Sequence, residues 1–192
     1  MPAKKKAERA VLLTPGASAG REQPSLVAIE RALDPIPVER MDFPYFKAGR
    51  KSPDKPAVLI GAVREGAAEL AHRTGLSPDR LVLGGRSMGG RMCSMAVAEG
   101  LPALGLALIS YPLHPPGRPE RARTEHLPAL DVPCLFVSGT RDAFGTVDEL
   151  TAATKAVPGP VTHVWIEGGD HGLKKRDDEV ADAVREWVAS LR

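Results

Sequence analysis

The chain has 192 residues, 43% of them hydrophobic and 26% charged, with 26 basic against 24 acidic side chains and a net charge of +2. That length suits one domain able to bury ~70% of its unfolded surface, and the near-balance of charge gives no reason to expect nucleic acid or a membrane as partner. The two cysteines, Cys93 and Cys134, sit in apolar contexts and read as buried thiols in a reducing, cytoplasmic setting rather than a disulfide framework.

Residues 1–9, with Lys4, Lys5 and Lys6, read as a basic flexible tail, and 10–192 as a single α/β domain. Val11-Leu12-Leu13 is too short for a signal-peptide core, and no run reaches the length of a membrane span. A strand is expected over 10–14, ending in the small-residue loop Pro15-Gly16-Ala17-Ser18-Ala19-Gly20. Pro24 suits the first turn of a helix whose apolar face carries Leu26, Ile29 and Leu33,. Asp34-Pro35 ends it, and 36–43 reads as a second strand. A Pro-, Gly- and Lys-rich loop over 44–54 leads to a helix opened by Pro56 and closed by Gly75,.

A third strand over 80–84 enters Gly84-Gly85-Arg86-Ser87-Met88-Gly89-Gly90, and a helix rich in Met, Ala and Val leaves it. A fourth strand over 104–110 is followed by a proline-rich connection over 111–130. The fifth strand, over 132–138, precedes a helix that Thr146-x-x-Glu149 starts with capping-box spacing,. The sixth strand spans 161–166. Val180, Val184, Trp187 and Leu191 give the last helix one apolar face,. Six apolar strands alternating with helices predict a three-layer α/β/α sandwich around a parallel sheet, with any ligand site at the carboxyl ends of the strands.

Those ends carry chemistry. Gly85 to Gly89 is Gly-x-Ser-x-Gly, which places a serine hydroxyl on a tight strand-to-helix turn at the end of a sheet,. The pattern alone arises by chance in roughly one chain of this length in fifteen, so its strand and helix flanks are what give it weight. Past the fifth strand comes Gly139-Thr140-Arg141-Asp142, and past the sixth Gly168-Gly169-Asp170-His171-Gly172. A serine hydroxyl needs a base to take its proton, the base needs an acid to fix its tautomer, and a developing oxyanion needs prepositioned N–H donors. Each part has a candidate. Asp170 is a second acid, but a sequence neighbour of a histidine rarely meets its ring head-on.

The order serine, acid, histidine resembles the α/β-hydrolase superfamily. More closely, the chain resembles compact dienelactone-hydrolase-like proteins and the domain shared by the regulatory NSL complex subunit and testis-expressed protein families. The residues that carry the likeness are 84–91, Tyr111-Pro112-Leu113-His114-Pro115-Pro116, Ser138-Gly139-Thr140-Arg141-Asp142 and Gly169-Asp170-His171-Gly172. It implies Ser87 as nucleophile, His171 as base and Asp142 as its acid, with backbone N–H groups of Met88 and Ala17 as the oxyanion hole. No cofactor or metal is expected. Three departures stand out. The sheet lacks the first two strands of larger members, Pro15-Gly16 replaces the frequent His-Gly, and Ser87 replaces the cysteine of dienelactone hydrolases, so a dienelactone substrate is not implied.

The likeness also implies that a lid would follow the fourth strand. The 111–130 connection is too short for a cap domain, and a loose flap over a shallow, open pocket is expected. Ser18, Arg86, Tyr111, His114 and Phe144 are candidates for the pocket wall, although carboxylate pairing is the commoner fate of Arg86 and Arg91. The expected activity is hydrolysis of a small ester or thioester by a monomer or homodimer. The alternative is a non-catalytic scaffold of the same fold.

Overall fold

The computed structural model describes residues 7–17 and 19–192. Six strands form one parallel sheet: β1 (Ala10–Thr14), β2 (Val38–Arg40), β3 (Leu81–Arg86), β4 (Gly105–Ile109), β5 (Cys134–Gly139) and β6 (Val161–Ile166), in the order β2-β1-β3-β4-β5-β6. The connecting helices are α1 (Pro24–Leu33), α2 (Pro44–Lys47), α3 (Pro56–Thr74), α4 (Met88–Ala98), α5 (Val147–Thr154) and α6 (Asp177–Ser190). Alternation along the strands builds two cores. Ala10, Leu12, Leu81 and Leu83 pack with α3 and α4 on one face. Val11, Leu13 and Val82 pack with α1 and α6 on the other.

The chain reverses direction across the sheet at β1. From β1 it passes to β2 on one side, then returns to β3 on the other. Strand order of this kind opens a crevice past the carboxyl ends of β1 and β3. The small-residue loop after Thr14 and Ser87 after Arg86 therefore meet there.

Most elements fall where the sequence places them. The capping box at Thr146 forms, with Thr146 Oγ1 accepting from the Glu149 N–H and Glu149 accepting from the Thr146 N–H. Gly75 takes the left-handed conformation (φ 66°) that closes α3,. Two elements differ from expectation. The strand expected over 36–43 shortens to Val38–Arg40, paired along one side only, with β1. The loop expected over 44–54 contains the single turn of α2, opened by Pro44,. Of the expected tail, residues 1–6 lie outside the described residues. At its end, Arg9 Nη1 donates to the Val188 carbonyl at 2.5 Å.

The segment after β4 is docked, not the loose flap expected. Tyr111, Leu113, Leu127 and Leu130 are buried in the α3/α4 core. The Tyr111 hydroxyl donates to the Arg123 carbonyl at 2.8 Å, and the Arg123 N–H donates to the Leu113 carbonyl at 2.7 Å. Ser94 Oγ of α4 lies 2.8 Å from His126 Nε2. Burial, with the Arg91 cation adding to it, pushes His126 down to about 4.

That histidine makes the fold acid-sensitive over a defined range. As pH falls below 6.5 the unfolded chain takes up the proton, while the folded chain resists until about 4,. Stability is lost between those values. The expected size is about 1–2 kcal/mol, reduced from the full linkage value by the residue's partial exposure. Urea unfolding at pH 7 and pH 4.5 should show a smaller acid loss in His126→Gln than in wild type, and equal losses would contradict the assignment.

Two glycines predict opposite outcomes. A Cβ at Gly85 would lie 2.1 Å from Thr14 Oγ1 and 2.3 Å from the Thr14 carbonyl oxygen, so β1 and β3 would have to separate. Gly85→Ala should cost about 3 kcal/mol. A Cβ at Gly61, inside α3, meets nothing within 4 Å, so Gly61→Ala should stabilise by about 0.5–1 kcal/mol through helix propensity. Denaturant midpoints of the two variants give the comparison.

Candidate active site

Ser87 sits between the end of β3 and the first residue of α4, with φ 51° and ψ −115°. A non-glycine residue is strained there, at a typical cost of ~1–3 kcal/mol. The surroundings hold it: the Ser87 N–H donates to the Ile109 carbonyl at 2.8 Å, and the Ser87 carbonyl accepts from the Arg91 N–H at 3.1 Å. Gly89 lets the turn press against β1. A Cβ there would lie 2.5 Å from the Pro15 carbonyl oxygen and 2.5 Å from Thr14 Oγ1.

Ser87 Oγ lies 2.9 Å from His171 Nε2. On the far side of the ring, Nδ1 is 2.9 Å from Asp142 Oδ2 and 3.0 Å from Oδ1. Asp142 is buried, its side chain 2% exposed against 23% for His171. Its Oδ1 also accepts from the Phe144 N–H at 2.8 Å. An ionised carboxylate only accepts, so Nδ1 carries the proton and Nε2 keeps its lone pair toward the serine hydroxyl.

The loops that bring acid and histidine together interlock. The Arg141 N–H donates to the Gly169 carbonyl at 2.8 Å, and the Gly168 N–H donates to Thr140 Oγ1 at 2.9 Å. Gly139 leaves room for this approach, since a Cβ would lie 2.1 Å from the Gly169 carbonyl oxygen. The Phe144 ring stacks on the imidazole with centroids 3.9 Å apart. Asp170 turns away from the ring, and its Oδ1 accepts from the Leu173 N–H at 2.9 Å.

A cleft of about 490 Å³ opens over these groups. Gly16, Ala17, Ala19 and Gln23 form one wall. Met88, Arg91, Pro112, Arg123 and Phe144 form the rest, around Arg86, Ser87 and His171. The first wall is braced from behind. The Gly16 N–H donates to Gln23 Oε1 at 3.0 Å, and the Tyr45 hydroxyl donates to the Ala17 carbonyl at 2.8 Å. Met88 begins α4, so its N–H precedes the helix's own hydrogen-bond ladder,. Among the described residues no group of three or more His, Cys, Asp or Glu side chains is placed to hold a metal ion, and no helix is long and apolar enough to cross a membrane.

Of the expected pocket residues, Arg86 and Phe144 line the cleft, and Ser18 lies outside the described residues. Tyr111 and His114 do not line it. Tyr111 is 2% exposed and buried in the core, its hydroxyl held by Arg123. His114 is 5% exposed. Its Nδ1 donates to the Pro115 carbonyl at 2.8 Å and its Nε2 meets Glu149 Oε2 at 3.2 Å. Those contacts raise its pKa, the Pro115 carbonyl most of all.

The expected carboxylate partners of Arg86 and Arg91 are also absent from the described ion pairs. Arg86 is buried and donates through Nη2 to the His171 carbonyl. Gln23 and Arg123 enter the site without any signal in the sequence pattern, and Pro112 enters it from the segment 111–116 that carries the family likeness.

The family described as Alpha/beta hydrolase domain matches residues 7–190. The chain belongs to this family. Solved structures agree on the fold. An alpha-beta serine hydrolase homologue from Coxiella burnetii superposes with a TM-score of 0.76 at 15% identity, covering 95% of this chain and 86% of that one. A dienelactone hydrolase from Anabaena variabilis gives 0.75 at 19%, covering 97% and 88%. A thermophilic esterase from Thermogutta terrifontis gives 0.72 at 22%, covering 95% and 90%.

The geometry separates the two candidate acids. Asp142→Asn, which mispositions the imidazole proton, should lower turnover by about 10³–10⁴-fold with the fold retained. Asp170→Asn should lower it by less than about tenfold. Side-by-side kinetics on one activated ester give the ranking, and the reverse order would reassign the acid.

Proposed function

We propose that this α/β hydrolase is a serine hydrolase of small esters or thioesters, on the branch of compact dienelactone-hydrolase-like enzymes that its motifs resemble. The observation that carries the reading is the contact of Ser87 Oγ with His171 Nε2 at 2.9 Å, in line with Asp142. Ser87 Oγ attacks the substrate carbonyl carbon as His171 Nε2 takes its proton. The carbonyl oxygen becomes an oxyanion, held by the backbone N–H groups of Met88 and Ala17. The tetrahedral intermediate collapses, and His171 passes its proton to the departing alcohol or thiol. A water then gives its proton to His171 and attacks the acyl-serine. Collapse of the second intermediate frees the acid and restores the hydroxyl of Ser87. Throughout, Asp142 holds the imidazole in one tautomer and offsets its transient charge.

Substrate size follows from the walls. Each CH₂ gains about 0.8 kcal/mol only where apolar surface covers it. Met88, Pro112 and Phe144 supply such surface, but Arg86, Arg91 and Arg123 interrupt it.

Against p-nitrophenyl esters, kcat/KM should peak at roughly two to six acyl carbons and fall at twelve or more. Ser87→Ala should lose about 10⁴-fold or more in kcat and all labelling by a fluorophosphonate probe. A variant keeping a tenth of wild-type turnover would remove Ser87 from the mechanism. Wild-type protein that neither turns over an ester or thioester nor takes the probe would favour a non-catalytic scaffold.

A further inference from the structure

The cleft is unusually charged for the site of a neutral ester. Arg86, Arg91 and Arg123 all line it, and no aspartate or glutamate does. Outside the cleft several arginines pair with carboxylates, while others, such as Arg9 and Arg80, are held by backbone carbonyls. Arg40 meets Glu30 at 2.6 Å and Glu22 at 3.1 Å, Arg73 meets Glu39 at 2.7 Å, and Arg176 meets Glu179. None of the three cleft arginines has a carboxylate partner among the described ion pairs.

Each is instead held by backbone or left open. Arg123 Nη1 donates to the Pro112 carbonyl at 3.3 Å. Arg91 Nε is buried with no hydrogen-bond partner, and so is Nε of Arg86, a residue only 6% exposed. Burial is the first cause that lowers the pKa of Arg123, and the charge of Arg91 is the second. The fold therefore holds two like charges in one cleft, partly desolvated and without a carboxylate partner among the described ion pairs. Such an arrangement costs stability until an anion arrives.

The positions give a use. Arg91 lies one helical turn beyond Ser87, and its N–H bonds the Ser87 carbonyl at 3.1 Å. Arg123 reaches the same cleft from the docked segment after β4. We infer that Arg91 and Arg123 form a subsite for an anionic group, carboxylate or phosphate, carried by the substrate a few bonds from the scissile carbonyl. A guanidinium offers a planar fork that fits either oxyanion. Both side chains line the cleft that holds Ser87, and a five-carbon acyl chain ending in a carboxylate, with its charge a few bonds from the carbonyl, is the probe for that subsite. This inference rests on Ser87 being the nucleophile that meets the substrate.

The test compares monoethyl glutarate with ethyl valerate, two five-carbon acyl groups that differ in the terminal charge, by acid release in a pH-stat. At low ionic strength kcat/KM should favour the glutarate by at least about tenfold, and the advantage should shrink in 0.5 M salt. In Arg91→Gln and in Arg123→Gln the ratio should fall about tenfold or more, chiefly through KM. Free glutarate and inorganic phosphate, tried as inhibitors of wild type, identify the group by which of them competes.

No preference for the glutarate, or a ratio untouched by both substitutions, would overturn the subsite while leaving the hydrolase reading in place. If neither ester is hydrolysed and Ser87 takes no fluorophosphonate, the hydrolase reading fails instead. Thermal shift then decides the subsite: glutarate or phosphate should raise the melting temperature of wild type and not of the two variants. Absence of a shift in wild type would overturn the subsite as well.

Discussion

The site depends on how closely β1 approaches β3 and the start of α4. Thr14 sits at the centre of that contact. Its hydroxyl donates to the Gly84 carbonyl at 3.0 Å, and its oxygens occupy the space where side chains on residues 85 and 89 would go. The two glycines thus serve close packing, and neither takes a positive φ. Ser87 itself carries the positive φ of 51°. The close approach fixes the loop after β1 beside Ser87, so Ala17 and Met88 share one cleft. A looser sheet could keep the serine strained and still fail to bring the two loops together.

The placement of Asp142 and His171 depends on a second close approach, between Gly139 and Gly169. It ties the ends of β5 and β6 at backbone level, without reliance on long side chains. Arg86 adds a cross-link from the residue before Ser87 to the His171 carbonyl. The histidine loop contains Leu173 and Lys175 at positive φ, so its backbone does not settle into a regular element by itself. A buried cation anchored to that loop holds His171 in register with Ser87. Burial lowers the pKa of Arg86, and the charges of Asp142, Asp177 and Asp170 act against that effect.

The sequence was most legible where one residue type answers one geometric demand. Ser87, Asp142 and His171 each follow a strand that apolar alternation marks plainly, and a parallel sheet brings such ends to one side. The same logic misled at Tyr111 and His114. Both follow β4 closely, yet the chain turns inward there, and Tyr111 fills core beside Phe136 with ring centroids 5.8 Å apart. An aromatic or a histidine after a strand is equally suited to a wall or a core, and only the path of the 111–130 segment decides. Arg123 and Gln23 were illegible for a related reason. Their places depend on long-range packing of irregular segments, which leave no period to read.

Arginines in an open cleft act by contact more than by field. Two unit charges 4 Å apart interact by about 4 kcal/mol at an effective dielectric of 20, and by about half that at 8 Å. Water reaching an uncapped cleft weakens the longer interaction further. An oxyanion at the carbonyl must therefore rely on the N–H groups beside it, with little help from a distant guanidinium. A charged substituent placed against Arg91 and Arg123 gains the full contact. It also relieves the repulsion between the two cations. That relief is tied to where the substituent sits, so the same pair that costs the free enzyme stability can sort substrates by the position of their charge. An apolar wall, which rewards any methylene it covers, has no equivalent means of measuring that distance.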